Sequence, residues 1–483
     1  MIDALPADGM SAEQVLAELR ALRSGDLPTH GGRLFAYVYD PGLPGLDELA
    51  VAAYAIGAPA NGLDPTAFPS LLAMENALVA AAARLLGGGP ETVGSVTSGG
   101  TESLILAVKA ARDARPDLAS PRLVVPATAH AAFAKAASYL RVELDVVPVD
   151  PVTLRPSPDG MAAAIRPEAV LVACSAPSYA HGIVDPVPAI SAAAAAAGVR
   201  CHVDACFGGW TLPYLRRLGV DGPPFDLSVP GVTSISVDLH KYAYCPKGVS
   251  VLLHRDAELR RPQYFSYADW PGYPMVNPVI TSTRSGGPIA AALATLRHIG
   301  DSGYLELAAR SRDAVRSLGA IVSTVDGLRP LSDGRSTVVC FTSDDPGLDL
   351  FVLADELTGR GWHTQPQLGY GGIPPSIHLT VTAAVAPAVA EFGAALRDAA
   401  AAARTRGPLV LPPELTAQVA GLSPESVTPE LVASLAGGLG LDPAGAGPGR
   451  IAEVHVLLAA AAPRLRERLL TEFLSLLQTP AWQ

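Results

Sequence analysis

Cys201-His202-Val203-Asp204-Ala205-Cys206 closes a β-branched run that begins at Val199, and the strand it implies ends on an acid. Before it lies a helical stretch, Val187–Ala197, and before that another apolar run, Ala169–Cys174. The alternation continues outward in both directions. Runs at Leu123–Pro126, Val142–Val149, Ser234–Val237 and Ser250–Leu253 are separated by helical stretches such as Glu102–Asp113 and His130–Leu140. Strands alternating with helices of that length predict an α/β fold, a mainly parallel sheet covered on both faces. Beyond Gly303 come a helix to Leu318, a strand Thr337–Thr342, a helix to Arg360, a strand Ile377–Val381 and a helix to Arg404, which predict a smaller α+β C-terminal domain. Ser11 and Gln14 form a capping-box pattern for a helix running to Arg23. The loop Asn61–Pro69 leads into a helix to Leu86, and an amphipathic helix is expected at Pro463–Leu477 after the Pro- and Gly-rich Gly437–Arg450. The expected organisation is an N-terminal arm over 1–60, a large domain over 61–303, a small domain over 304–404 and a C-terminal extension over 405–483.

With 49% apolar and 17% charged residues the chain is a compact globular protein, not a disordered one. Its net charge of −11 argues against nucleic acid as a partner, because phosphate backbones need a basic footprint. The alanine-rich runs Ala192–Ala197 and Ala399–Ala403 fall far short of the roughly 20 apolar residues that span a bilayer, so no membrane insertion is expected. The acidic N-terminus carries no signal-peptide pattern. Cys174, Cys201, Cys206, Cys245 and Cys340 are odd in number and include no C-x-x-C, which reads as a reduced, cytoplasmic protein. The histidines are scattered and the cysteines unpaired, so no metal is expected.

Four blocks carry chemistry. Ser98-Gly99-Gly100-Thr101-Glu102-Ser103 follows a strand-like Thr92–Val96 and opens a helix. Its glycines let the backbone approach an anion, and the first-turn N–H groups with the Ser98 and Thr101 hydroxyls can bind phosphate. An ordinary Gly-rich turn reads equally well. The block is not G-x-G-x-x-G, so a nicotinamide cofactor gains no support. Asp204 stands at the strand edge where parallel sheets bind ligands, and an acid there can hydrogen-bond a pyridine nitrogen. Judged alone, a helix N-cap is its commoner role. Val237-Asp238-Leu239-His240-Lys241-Tyr242 ends another strand. Lysine leaving an apolar strand is rarely buried unless paired or used, and burial lowers its pKa toward the neutral amine that forms an imine. A solvated strand-end lysine is the ordinary alternative. His130, in Thr128-Ala129-His130-Ala131-Ala132-Phe133, can stack on a flat ring, cap the helix or pack in the core. The shared position of these blocks at strand C-termini, in this order, makes a common site the better reading.

Together the blocks resemble the group II decarboxylase superfamily of pyridoxal 5′-phosphate (PLP) enzymes, and within it the sphingosine-1-phosphate lyases, from about Asn61 to Leu305. The most specific pieces are Thr97–Ser103, His130–Phe133, Ser175-Ala176-Pro177-Ser178-Tyr179-Ala180-His181-Gly182, His202–Ala205 and His240-Lys241-Tyr242. Ala243–Gly248 and Asp269-Trp270-Pro271-Gly272 add to them. The resemblance implies a PLP-dependent transferase-like fold type I, with a seven-stranded sheet, a small C-terminal domain and a homodimer whose active sites lie at the interface. It implies that Lys241 holds PLP through an imine, that Asp204 pairs with the pyridinium nitrogen and that His130 stacks on the ring. Gly100, Thr101 and His240 then surround the cofactor phosphate, with Ser98 and Gly99 in the same turn. Thr283 joins them from the neighbouring subunit, at a position where the family usually has Ser. Tyr179 and Lys247 fall where the lyases place a substrate-contacting tyrosine and lysine, and Tyr39 matches a tyrosine that reaches the partner's substrate phosphate.

One departure bears on the substrate. These lyases usually carry Asn-Pro-Leu-His where this chain reads Asn61-Gly62-Leu63-Asp64. Like charges about 4 Å apart at an effective dielectric near 20 repel by roughly 4 kcal/mol. Asp64 beside a phosphate dianion therefore predicts a substrate that is not a typical sphingoid phosphate and presents a hydroxyl or an amine to this corner; the bland alternative is that Asp64 faces solvent. The expected reaction is Cα–Cβ cleavage of a small-molecule β-hydroxy amine to an aldehyde and an amine, with Tyr179, Lys247 or Lys241 as base or proton donor. The alternative is amino-acid decarboxylation at the same cofactor site, since the outcome depends on which bond the pocket holds perpendicular to the ring. A catalytically silent PLP-binding protein is a third reading, against which the intact lysine, aspartate and phosphate turn argue.

Overall fold

The computed structural model describes residues 5–6, 8–413, 419, 421–438 and 451–479. Seven strands form the main sheet: β1 Val93–Thr97, β2 Arg122–Pro126, β3 Glu143–Val147, β4 Ala169–Ser175, β5 Arg200–Asp204, β6 Ser234–Asp238 and β7 Ser250–His254, in the spatial order β1-β7-β6-β5-β4-β2-β3. The pairs β2–β3, β2–β4, β4–β5 and β5–β6 are parallel, and β7 runs antiparallel to both β1 and β6. The mainly parallel sheet expected from the alternation is present. Its central strands are buried along their whole length, as helices on both faces require. The outer strand β3 is guarded by a charged pair with β2, Arg122 to Asp145 at 2.6 and 2.7 Å, of the kind that discourages edge pairing. Because β7 is antiparallel, β6 reaches it without a crossover helix. The short passage 239–249 therefore stays at the C-terminal edge of the sheet, the edge where Thr97, Asp204 and Asp238 also end.

The helix Gly287–Ser323 is broken at Gly300 (φ 65°, ψ 174°) and bridges two apolar cores, Ile289 to Ala308 serving the first and Ala314 to Val322 the second. The sequence predicts a helix only from about Gly303, whereas the helix begins at Gly287. Nor does the sequence predict an element at Leu46–Gly57, a helix whose Gly57 backbone meets that of Gly286 so closely that a Cβ on Gly57 would lie 2.5 Å from the Gly286 carbonyl oxygen. Two three-residue strands, the exposed β8 Phe265–Tyr267 and the partly exposed β9 Met275–Asn277, form a hairpin that the sequence does not announce. A four-stranded antiparallel sheet follows: β10 Leu328–Pro330, β11 Val338–Ser343, β12 Gln365–Gln367 and β13 Ser376–Thr380, in the order β10-β11-β13-β12. Strand alternation divides β11 between the two cores, Val338 and Cys340 facing the large one while Val339 and Phe341 face the small one. Helices Pro429–Gly438, Ala452–Ala460 and Pro463–Leu477 pack around Val432, Leu457, Leu465 and Leu469 as a further unit. Within Gly437–Arg450, residues 439–450 lie outside the described residues. Among the described residues no helix is long and apolar enough to cross a membrane.

Candidate active site

A cavity of about 440 Å³ opens over the C-terminal edge of the main sheet. It is lined by Tyr39, Ser98, Gly99, Gly100, Thr101, His130, Tyr179, Asp204, His240, Lys241 and Lys247, so eleven of the residues singled out in the sequence converge on it. Asp64 and Thr283 do not line it.

The Ser98–Thr101 turn is held from behind. Glu102, buried in the first turn of the helix Gly100–Asp113, accepts the Ser98 N–H at 2.6 Å and the Ile280 N–H at 2.8 Å. Thr97 and Ser103 hydroxyls meet at 2.7 Å, and Ser103 meets Ser250 at 3.1 Å. Gly100 is a steric necessity, since a Cβ there would lie 2.9 Å from both Asp238 Oδ2 and Cys206 Sγ. His240 stands against Gly99, where a Cβ would be 3.6 Å from its Cε1. Its Nδ1 donates to the Val249 carbonyl at 2.8 Å, which fixes the ring. Burial holds its pKa below the ordinary value despite the Asp238 carboxylate.

Lys241 Nζ sits 2.8 Å from Asp238 Oδ2 and 5.8 Å from the Phe207 ring centroid. This corrects one expectation. Burial pushes the amine's pKa down, as anticipated, but Asp238, Cys206 and Asp204 together outweigh it and the net direction is up. Lys241 is therefore an ammonium in this state. Asp238, whose own pKa burial would raise, is held below the carboxylate range by Lys241 and His240.

Asp204 accepts the Cys206 N–H at 3.1 Å and presents its carboxylate to the cavity. Two residues earlier on the same strand, His202 meets Ser234 at 2.9 Å and Ser236 at 3.1 Å, and burial pushes its pKa down to about 3, so it is a neutral strut. His130 lines the cavity while its Nδ1 accepts the Ala132 N–H at 3.2 Å, so capping and cavity lining coincide in one side chain. Tyr179 stacks on His378 of β13, with ring centroids 4.7 Å apart, and meets Phe207 edge-on at 5.2 Å. Burial raises its phenol's pKa, so the proton stays on at neutral pH. His378 is itself neutral, pushed by burial to about 4, with its ring nitrogens near Thr380 Oγ1 at 2.8 Å and the Ala180 carbonyl at 3.2 Å. Lys247 Nζ lies 4.4 Å over the Tyr39 ring and 4.9 Å over that of Tyr37, and donates to the Tyr37 hydroxyl at 3.2 Å.

Glu102, Asp238, Tyr37 and His378 were not identified as working residues from the sequence. Glu102 and Asp238 stood inside quoted blocks, and an acid three residues before the lysine was the available signal. A lone histidine in the strand Ser376–Thr380 carried none.

Asp64 is exposed, and its Oδ1 accepts from Thr66 N at 2.9 Å, Thr66 Oγ1 at 2.6 Å and Ala67 N at 3.2 Å. Those bonds, the Thr66 hydroxyl foremost, hold its carboxyl below the usual range. Thr283 is exposed on a neighbouring loop. The two loops are tied by Arg284 N to Asn61 Oδ1 at 3.2 Å and Gly62 N to Arg284 O at 2.8 Å, with Arg284 paired to Glu75.

An acid at a strand end, an amine within the cavity, and a helix N-terminus stripped of Cβ atoms by close packing together fit PLP: ring nitrogen, aldehyde carbon and phosphate each have a partner. Among the described residues no group of three or more His, Cys, Asp or Glu could hold a metal ion. Residues 74–267 match the aminotransferase class-V family, and residues 413–476 match the C-terminal HTH domain of pyridoxal-dependent enzymes. Fold and site thus define a PLP-dependent enzyme of fold type I. The chain is 37% identical over 382 residues to sphingosine-1-phosphate lyase of Dictyostelium discoideum, covering 78% of this chain and 70% of that one. It is 36% identical over 384 residues to sphingosine-1-phosphate lyase 1 of Rattus norvegicus, covering 79% and 66%. A solved sphingosine-1-phosphate lyase from Burkholderia pseudomallei aligns with a TM-score of 0.79 at 37% identity over 84% of this chain and 94% of that one. The chain belongs to the sphingosine-1-phosphate lyase family and is a PLP-dependent lyase. Glutamate decarboxylase of Lactobacillus brevis, at 19% identity and a TM-score of 0.74, shares the fold. The segment matched as an HTH domain carries seven acidic side chains against four arginines.

Proposed function

We propose that the chain cleaves the Cα–Cβ bond of a β-hydroxy amine with an anionic end, releasing an aldehyde and an amine. The observation that carries the reading is the convergence of Lys241, Asp204, the Gly99–Thr101 turn, Tyr179 and Lys247 on one cavity. PLP bound here supplies the sink for the electron pair of the broken bond. Asp204 keeps the ring nitrogen protonated, His130 covers the ring, and Gly100, Thr101 and His240 hold the phosphate. Lys247, steadied by Tyr37 and Tyr39, receives the substrate's anionic end. Tyr179 keeps its proton at neutral pH and delivers it to the α-carbon, while Lys241, once freed as the neutral amine, takes the β-hydroxyl proton.

The named substrate of the relatives, sphingosine-1-phosphate, is the first to assay, with carbon dioxide release from amino acids as the decarboxylase control. Aldehyde should form, and purified protein should show a visible imine absorbance that Lys241→Ala abolishes; carbon dioxide without aldehyde would overturn the reading. Efficient turnover of sphingosine-1-phosphate, unimproved in Asp64→His, would remove Asp64 from substrate selection. In our reading the enzyme is also a homodimer with shared sites. Asp64 and Thr283, both expected at an active site, face outward on loops tied to each other, as residues serving a second copy would. A cytoplasmic setting fits the five buried, unpaired cysteines.

A further inference from the structure

The contact between Lys241 and Asp238 leaves the cofactor amine in the wrong protonation state for capture, because only the neutral amine attacks a carbonyl carbon. Asp238 is nearly inaccessible, lies 2.8 Å from Lys241 Nζ and 3.5 Å from His240 Nε2, and packs against the Gly100 backbone where the phosphate turn begins. The groups facing the Lys241 amine are thus Asp238 from β6, Asp204 and Cys206 from the end of β5, and Tyr179 across the cavity. His240 adjoins it through Asp238. Of these only Asp238 touches it, so the proton's nearest acceptor is unambiguous.

We propose that Asp238 is a positioning residue that locks Lys241 as an ammonium until a phosphate docks on the Gly99–Thr101 turn. The inference rests on the PLP reading of this site. A dianion arriving beside Gly100 brings negative charge up to Asp238, and like charge raises a carboxylate's affinity for a proton. The Lys241 ammonium then passes one proton to Asp238. The neutral nitrogen adds to the aldehyde carbon, and Asp238 returns the proton to the departing oxygen, which leaves as water while a C=N bond forms. The charge is the same before and after, and no other reagent is needed. The device would make capture selective for phosphorylated aldehydes over unphosphorylated ones by chemistry as well as by affinity.

The test uses the full chain, freed of cofactor with hydroxylamine and shown by circular dichroism to keep its fold. Imine absorbance is followed after adding pyridoxal phosphate or pyridoxal across a range of pH. In the wild type, pyridoxal should be captured slowly at neutral pH and faster as pH rises. Asp238→Asn should move that midpoint down by about one to three pH units, the shift an opposite charge at contact produces. Asp238→Glu, which keeps the charge, should leave it in place. An unchanged midpoint in Asp238→Asn, or the same shift in Asp238→Glu, would overturn the proposal; a merely structural role would slow capture without moving the midpoint. Should Asp238→Asn not fold, competitive acetylation of Lys241 in the cofactor-free wild type gives the amine's own midpoint. A value at or below that of an exposed lysine sinks the idea. If the wild type captures neither aldehyde, the PLP reading itself has failed, which is a separate outcome.

Discussion

Asp185 shows how a residue outside the cavity is still governed by it. The residue is fully buried behind β4, and its Oδ2 accepts the Ser175 N–H at 2.7 Å. Burial, with a further push from Asp204, raises its pKa to about 7, above the 3.8 of an ordinary aspartate. A carboxyl whose folded pKa is raised favours the native state only while protonated. Stability therefore falls as pH climbs from the ordinary value to the raised one, and the whole penalty persists above it, up to about 4 kcal/mol. Asp185→Asn keeps the acceptor for Ser175 without the charge. It should stabilise the protein at pH 8 and give no gain near pH 4, read by urea unfolding at both. Tyr179 makes a second prediction of this kind. Tyr179→Phe keeps the ring on His378 and removes the proton, so kcat should drop about 100-fold or more with KM little changed. A raised KM with kcat unchanged would mean that the hydroxyl binds substrate and does not deliver a proton.

Elements differ in how plainly their residues announce them. Ala169–Ser175 was legible because a strand buried on both faces reads as a nearly unbroken apolar run, and Pro463–Leu477 because its proline start and amphipathic stripe need no partner. Leu46–Gly57 was not, since it begins at a left-handed Gly45 with no side-chain cap and owes its place to Gly57 meeting Gly286. The site divides in the same way. Residues at strand ends were legible by position, whereas the protonation of Lys241 was misjudged because burial was weighed without the counter-ion three residues away. Tertiary capping was equally invisible. Asp355, in the helix Leu350–Thr358, accepts the Ile451 N–H at 2.9 Å and the Ala452 N–H at 3.2 Å, fastening the helix Ala452–Ala460 to the small domain. Asp355→Ala leaves those donors without partners at a cost of about 1 kcal/mol. Proteolysis between the small domain and the C-terminal helices should quicken while lyase activity holds; unchanged cleavage would mean the apolar contacts alone retain them.

At the scale of the whole molecule, the question is what the outward-facing loops are for. Thr283 stands beside Ile280, which is 57% exposed, and Glu102 ties that loop to the phosphate turn of its own chain. The Asp64 loop is fastened to it, so neither can swing inward without breaking the Asn61 and Gly62 hydrogen bonds. The two-fold dimer proposed above would resolve this by presenting each copy's outward loop to the other's cavity, since an isologous interface uses the same patch on both copies. The arrangement predicts complementation between two inactive chains. Lys241→Ala lacks the amine. Thr283→Asp would set a carboxylate against the partner's cofactor phosphate, a repulsion the site has no means to relieve. Dissociated, mixed in equal parts and reassociated, these chains should form heterodimers in about half of all pairings. Each heterodimer carries one wholly intact site, with Lys241 from the Thr283→Asp chain and Thr283 from the Lys241→Ala chain, and one doubly damaged site. Activity should therefore return to about a quarter of the wild-type value, since two-fold symmetry gives every pair two sites. If Thr283 serves its own chain, no pairing restores a site and the mixture stays dead, although sedimentation still reports a dimer. The experiment thus separates a shared active site from mere association.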